Sequence, residues 1–279
     1  MSSHKLTFGS LFSGIGGFDL GFHRAGMECK WQVEIDPDCQ KELHRNFPDV
    51  KIYDDVKTVG VKNLEPVDVI CFGSPCQGLS AAGLRRGFAD ERSVLFFQAT
   101  RIIKELKPAF AVWENVQGSL SSNGGRDFAV ALAALRECGA CDIAWRVIDA
   151  SSFGVPTSRK RLFLVADYAG ERSSEILFEQ RHIEQNEIPS LIPVFDFKSM
   201  WYRVYDPLGV AVTFRALAGG GGAKNGLYTV DTPPDPAREF ISDGIPSRLV
   251  GNSIVPQVAE WIGRNLTKRE PDGGKSGEN

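Results

Sequence analysis

The chain has 279 residues, 42% hydrophobic and 24% charged, the composition of an ordinary folded globular protein rather than a disordered, collagenous or fibrous one. Its net charge of −3 excludes a surface coated with phosphate-binding residues but leaves room for a local basic cleft. The longest apolar stretch, Phe128 to Leu135, falls far short of the roughly 20 residues of a membrane helix, so no membrane association is expected.

The first apolar run, Leu6 to Phe12, reads as a strand and leads into the glycine turn Phe12-Ser-Gly-Ile-Gly-Gly-Phe18. Trp31 to Ile35 reads as a second strand, Asp38 to Phe47 as a helix, and Asp54-Asp55-Val56 closes a third, short extended segment. Val67 to Phe72 and Ala109 to Trp113 are near-continuous apolar runs, as in strands covered on both faces. Between them, Leu95, Ala99, Ile102, Ile103 and Leu106 share one face of a helix expected over Ser93 to Leu106, with Pro108 as its stop signal. A further helix is expected at Phe128 to Leu135, then strands at Trp145 to Ile148 and Arg161 to Ala166. This alternation predicts an α/β fold with a doubly wound, mainly parallel, Rossmann-like sheet.

Past Asp167 the rhythm changes. Residues 170–205 are polar with weak strand signals, and 206–248 are dense in glycine and proline, including Gly219 to Gly222 and Pro233-Pro-Asp-Pro236. An amphipathic helix pattern returns at Ile254 to Leu266. We therefore expect a main domain of residues 1–167 plus 249–268, a short irregular lobe at 168–248, and a disordered tail at 269–279. The cysteines (Cys29, Cys39, Cys71, Cys76, Cys138, Cys141) are too sparse for a disulfide scaffold and show no repeated zinc spacing. With an N-terminus, Met1-Ser-Ser-His-Lys5, that lacks the features of a secretory signal, they read as thiols of a cytoplasmic protein.

In the first turn, Gly14, Gly16 and Gly17 allow close backbone approach, and the helix start offers unpaired N–H groups. The spacing is not the dinucleotide fingerprint, because Asp19 stands at its third glycine position. Glu34, ending the second strand, is placed to accept from both ribose hydroxyls, and Asp55 to reach an adenine amino group. Each alone reads equally well as a tight turn or a solvated strand end. Together they favour an adenosyl-containing ligand at the carboxyl ends of the strands. Cys76 follows a buried strand in Gly73-Ser-Pro-Cys-Gln77, with Arg85, Arg86 and Arg92 next in sequence to lower its pKa. Glu114 ends an apolar strand. Arg159 and Arg161, two apart on an extended segment, point to one side and favour an anionic or nucleobase ligand.

This set, in this order, resembles the cytosine-C5 DNA methyltransferases. It comprises the glycine turn, Glu34, Asp55, the Cys76 loop, Gly87-Phe88 to Phe97, Glu114-Asn115-Val116, Phe153-Gly-Val-Pro156 with Arg159 and Arg161, and Gly251-Asn252-Ser253, covering 7–167 and about 248–266. The resemblance implies Cys76, Glu114, Arg159 and Arg161 around a flipped cytosine. It implies Phe12, Gly14, Ile15, Gly17, Glu34, Ile35, Asp55, Val56, Pro75, Leu95, Asn252 and Ser253 around S-adenosyl-L-methionine, with no metal. It also implies double-stranded DNA as substrate, a monomer, and a restriction endonuclease acting on the same site as a possible partner. Only about 80 residues separate the arginine motif from the last helix, where relatives carry a longer recognition region, an Arg-rich segment and a Gln-Gly-Phe-Pro-like turn. Thr157-Ser158 stands where a glutamine and a basic residue are usual. Two other readings stay open. One is a tRNA-methylating relative, whose Cys-Phe-Thr signature is not found. The other is a cofactor- and DNA-binding protein without turnover.

Overall fold

Near-continuous apolar runs bounded by turn residues form the centre of a seven-stranded sheet. The structure, a computed structural model, describes residues 5–74, 91–155, 157–178 and 253–268, with 193–195, 204–205, 211–212, 227–228 and Leu249. The elements are β1 (Thr7–Leu11), α1 (Gly17–Arg24), β2 (Glu28–Val33), α2 (Pro37–Asn46), β3 (Lys51–Tyr53), β4 (Val69–Phe72) and α3 (Glu91–Leu106). They continue with β5 (Phe110–Val116), α4 (Arg126–Glu137), β6 (Asp142–Asp149), β7 (Thr157–Ser158), β8 (Lys160–Asp167), α5 (Ser173–Phe178) and α6 (Pro256–Thr267). The sheet order is β3-β2-β1-β4-β5-β8-β6. The first five strands pair in parallel, and β8 runs antiparallel to both β5 and β6. The doubly wound, mainly parallel expectation therefore holds, with one reversed strand among those described.

Every residue of β4 and all but the last of β5 are buried, which explains their uninterrupted apolar sequence. One sheet face packs Phe96, Ala99, Ile102 and Ile103 of α3 with Phe128, Ala131 and Leu135 of α4. The other packs Phe18 and Phe22 of α1, Ile176 and Leu177 of α5, and Val258, Ala259, Ile262 and Leu266 of α6. The last helix thus returns to the main sheet. The strand expected at Trp145 to Ile148 extends to Asp142–Asp149, because the polar residues at the two ends of this sheet-edge strand, Asp142 and Asp149, hide its full length from an apolar-run criterion. α5 was not expected. It lies beyond the boundary drawn at 167, yet Ser173 N–H donates to Asp142 at 3.0 Å and Asn265 Nδ2 donates to the Ile176 carbonyl at 2.9 Å. Its apolar contribution is two buried residues in a polar stretch, too short for a periodicity signal. Within 168–248 the described pieces include Ala211–Val212, paired in parallel with β7. Pro193–Phe195, Val204–Tyr205 and Leu227–Tyr228 form a separate small sheet. Among the described residues no helix is long and apolar enough to cross a membrane, and Cys29, Cys71, Cys138 and Cys141 are free thiols.

Of the charge-bearing side chains buried among the described residues, Asp19 is the most deeply enclosed. Asp19, in the first turn of α1, is fully buried and accepts from Ser10 Oγ at 3.1 Å, Gln32 Nε2 at 2.8 Å and Cys29 Sγ at 3.6 Å. It ties the start of α1 to β1 and β2. Burial raises its pKa to about 6, and the hydrogen bonds from Gln32, Ser10 and Cys29 only partly oppose this. A carboxyl raised on folding favours the protonated native state, so its stability contribution is fully present below about pH 4 and lost as pH rises through about 6. The unfolding free energy of wild type minus that of Asp19→Asn should therefore fall by about 2 kcal/mol between pH 4 and pH 7. Urea titrations at several pH values measure this, and a pH-independent difference would contradict it.

Candidate active site

The carboxyl ends of β1, β2 and β3 carry one cluster of the expected residues. Just past β1, Phe12 adopts φ 55°, a left-handed conformation that is costly for a bulky residue and typical of ligand-shaping turns. Gly14 follows at φ 57°, and a Cβ there would meet no atom within 4 Å, so open space lies over the turn. Glu34, just past β2, braces it: Oε2 accepts the Gly14 N–H at 2.7 Å and Oε1 the Asp36 N–H at 2.8 Å. Ile35 beside it is 69% exposed, an unusual position for a large apolar side chain next to a carboxylate. Asp55 opens the loop after β3, its carboxylate accepting the Lys57 N–H at 2.9 Å and its carbonyl the Thr58 N–H at 3.0 Å. Leu95 of α3 is partly buried against the main core.

Three members of the expected set have a structural task that the sequence did not show. A Cβ on Gly17 would lie 2.3 Å from the Ile254 carbonyl oxygen, so the chain leading into α6 requires a glycine here. Ile15 packs with Cys39 and Leu249, and the Val56 side chain belongs to the main core. Both leave only main-chain groups for a ligand.

The second cluster is built on β5 and β8. Cross-strand register pairs Glu114 with Phe163 and Val116 with Arg161, so Glu114 and Arg161 are diagonal neighbours on one face. Arg161 Nε stands 3.1 Å from Glu114 Oε1. Burial lifts the Glu114 carboxyl above the ordinary glutamate range, outweighing the guanidiniums of Arg161 and Arg159, which lower it. Arg159 is 6% exposed and donates from Nη2 to the Ser253 carbonyl at 2.7 Å. Burial first, then Arg161, depresses it to about 10, so it stays charged at neutral pH. A Cβ on Gly73, just past β4, would lie 3.5 Å from Glu114 Oε2, and Trp113 Nε1 donates to Ser74 Oγ at 3.1 Å. The chain leading toward Cys76 therefore runs directly past Glu114. Pro75, Cys76, Arg85, Arg86, Gly251 and Asn252 lie outside the described residues.

Sequence reasoning missed Asp19 and Arg101. Asp19 stands between Phe18 and Phe22 on the sheet-facing side of α1, so a carboxylate inside an apolar stripe was the available signal. Arg101 and Glu105 four residues apart read as a surface helix pair, although Arg101 reaches the loop after β3.

The sheet has a Rossmann-like architecture. Solved structures with this architecture include the Dnmt2 methyltransferase of S. pombe (TM-score 0.67, 18% identity, covering 94% of this chain and 98% of that one). The Entamoeba histolytica methyltransferase EhMeth is similar (TM-score 0.66, 16% identity, 95% and 98%). Residues 6–200 match the C-5 cytosine-specific DNA methylase family, and the chain belongs to it. Its reaction is methyl transfer to C5 of cytosine in DNA. The chain is 30% identical to the type II methyltransferase M2.BsuMI of Bacillus subtilis (strain 168), over 93% of this chain and 75% of that protein. It is 26% identical to the type II methyltransferase M.HhaI of Haemophilus parahaemolyticus, over 94% of each.

The close approach at Gly17 gives a test of how the C-terminal segment is held. Gly17→Ala forces a methyl into the Ile254 carbonyl and should cost about 1–3 kcal/mol of stability through overpacking. Chemical denaturation measures this, and an alanine variant as stable as wild type would mean that Ile254 is not held there.

Proposed function

We propose that the methyl donor is S-adenosyl-L-methionine and that it binds at the carboxyl ends of β1 to β3, with Phe12, Gly14, Glu34, Ile35, Asp55 and Leu95 around it. Main-chain groups of Ile15 and Val56, together with Pro75, Asn252 and Ser253, complete the set. The residues fit the group: open space lies over Gly14, a carboxylate sits at the end of β2 for ribose hydroxyls, and exposed Ile35 offers an apolar face for a purine. When bound, the donor supplies an electrophilic methyl group on a sulfonium.

The observation that carries the catalytic reading is the convergence of Glu114, Arg161 and Arg159 beside the backbone that leads to Cys76. Cytosine C5 is a weak nucleophile. The Cys76 thiolate adds to C6 and pushes the electron pair toward C5, which takes the methyl group. Loss of the C5 proton and expulsion of the thiolate then restore the ring and the free cysteine. Glu114, its protonated form favoured by burial, donates to N3 and accepts from the exocyclic amine, stabilising the enamine. Arg161 holds Glu114 and reaches the base O2, and Arg159 orients the surrounding chain. Such chemistry requires the base to leave the stack, at a cost of a few kcal/mol. We place target recognition on double-stranded DNA in residues 168–248, the enzyme acting as a monomer in the cytoplasm. Likeness to the type II enzymes favours a restriction endonuclease sharing the same site.

Two experiments test this reading. Glu34→Ala should weaken S-adenosyl-L-methionine binding by about 1–3 kcal/mol, because polar partners are left unsatisfied. Calorimetric titration with no loss would reduce Glu34 to a turn brace. Cys76→Ser should abolish transfer of labelled methyl to duplex DNA while retaining donor binding, and wild type should become covalently trapped on DNA containing 5-fluorocytosine, whose C5 substituent cannot leave as a proton. Serine-variant activity within tenfold of wild type, or no trapped complex under conditions that methylate normal DNA, would remove Cys76 from the nucleophile's role.

A further inference from the structure

The loop from Asp54 to Leu64, which carries Asp55 toward the proposed adenine position, is tied to a distant helix by two of that helix's side chains. Arg101 of α3 donates from Nη2 to the carbonyls of Val56 at 3.0 Å and Val59 at 2.8 Å. Its other donors are fixed within α3: Nη1 to Glu105 Oε1 at 2.8 Å and Nε to Gln98 Oε1 at 2.7 Å. Glu105 closes the loop's far side, its Oε2 accepting the Val61 N–H at 3.1 Å. The Val56 and Val59 side chains are buried in the main core, so their carbonyls need an internal partner. A guanidinium supplies several donors in one rigid plane, which an ammonium does not.

We propose that Arg101 is a positioning residue for adenine recognition: it fixes the Val56 and Val59 carbonyls so that the preceding Asp55 carboxylate is aimed at the exocyclic amine of the methyl donor. The inference rests on the reading that the donor binds over β1 to β3. Asp55 is one residue from a carbonyl held by Arg101, and the turn it begins, with Lys57 and Thr58 donating to it, contains the first anchored carbonyl and ends one residue before the second. The rest of the loop has braces independent of Arg101, Gly60 N–H donating to Asn63 Oδ1 at 2.8 Å, Asn63 Nδ2 to the Thr58 carbonyl at 3.2 Å, Val61 N–H to Glu105 and the Tyr53 hydroxyl to the Asn63 carbonyl. Losing Arg101 should therefore shift the aim of Asp55 without dissolving the loop.

The test uses the full chain as wild type, Arg101→Met, which keeps the aliphatic stem, Asp55→Ala and the double variant. Binding of S-adenosylhomocysteine is compared with that of its inosyl counterpart, which lacks the amino group, alongside the KM for S-adenosyl-L-methionine. Arg101→Met should weaken S-adenosylhomocysteine binding on the order of tenfold and erase most of the preference over the inosyl compound. The loss should fall on donor KM more than on kcat. Asp55→Ala should lose the same preference, and the double variant should be little worse than either single one. A role confined to stability would lower the unfolding midpoint and leave the preference intact, which would overturn the proposal. If Arg101→Met does not fold, Arg101→Lys, retaining the stem and one donor group, should show part of the same loss of preference, and an unchanged preference there would overturn the proposal equally. Wild type that binds neither compound would instead overturn the reading of the donor site itself.

Discussion

Glu114 and Arg161 meet because one strand of the sheet is reversed. β5 leaves the core with its carboxyl end at the edge where ligands bind in this class of fold, and β8 enters at that same edge with its amino end. A parallel neighbour would bring the end of a strand to that place. The reversed one brings the beginning, and with it the Arg159–Arg161 segment that precedes an apolar run. A buried carboxyl and a guanidinium then lie 3.1 Å apart. Burial favours the neutral form of Glu114, the guanidinium favours the charged form, and burial wins. A residue in that balance is suited to exchange a proton with a heterocyclic base.

The same edge is completed by chain that is remote in sequence. Arg159 donates to the Ser253 carbonyl, and Ile254 closes on Gly17 at the mouth of the glycine turn. α6 packs Val258, Ala259 and Ile262 into the core that holds Phe18 and Phe22 of α1. The glycine turn after β1 and the Glu114–Arg161 pair are therefore parts of one framework. Asp19 beneath the turn and Arg101 behind the β3 loop brace that framework from the two sheet faces.

Much of this was legible in the residues. Continuous apolar runs marked β4 and β5, and the spacing of Leu95 to Leu106 marked α3, because burial on both faces or on one helical stripe imposes those periods. Arg159 and Arg161 were legible as a pair since extended chain puts alternate residues on one side. What could not be read were consequences of tertiary approach. Gly17 has the appearance of a nucleotide-contacting glycine, but its missing Cβ is needed by a backbone more than 230 residues away. Ile15 and Val56 stand in the right motifs, yet their side chains are core. α5 has too few apolar residues to declare itself, and the reach of Arg101 depends on a loop that sequence alone leaves unplaced.

The dependence of the site on the Glu114–Arg161 contact is tested most directly by a double-mutant cycle on the chemical step. Single-turnover methyl transfer to duplex DNA would be measured for wild type, Glu114→Gln, Arg161→Met and the combined variant, with donor and DNA saturating. If the carboxyl and the guanidinium act as one unit, the combined variant will be little slower than the slower single variant. Losses that multiply would show that the two side chains serve the reaction independently, and the contact would then be no more than a consequence of their shared position on the sheet.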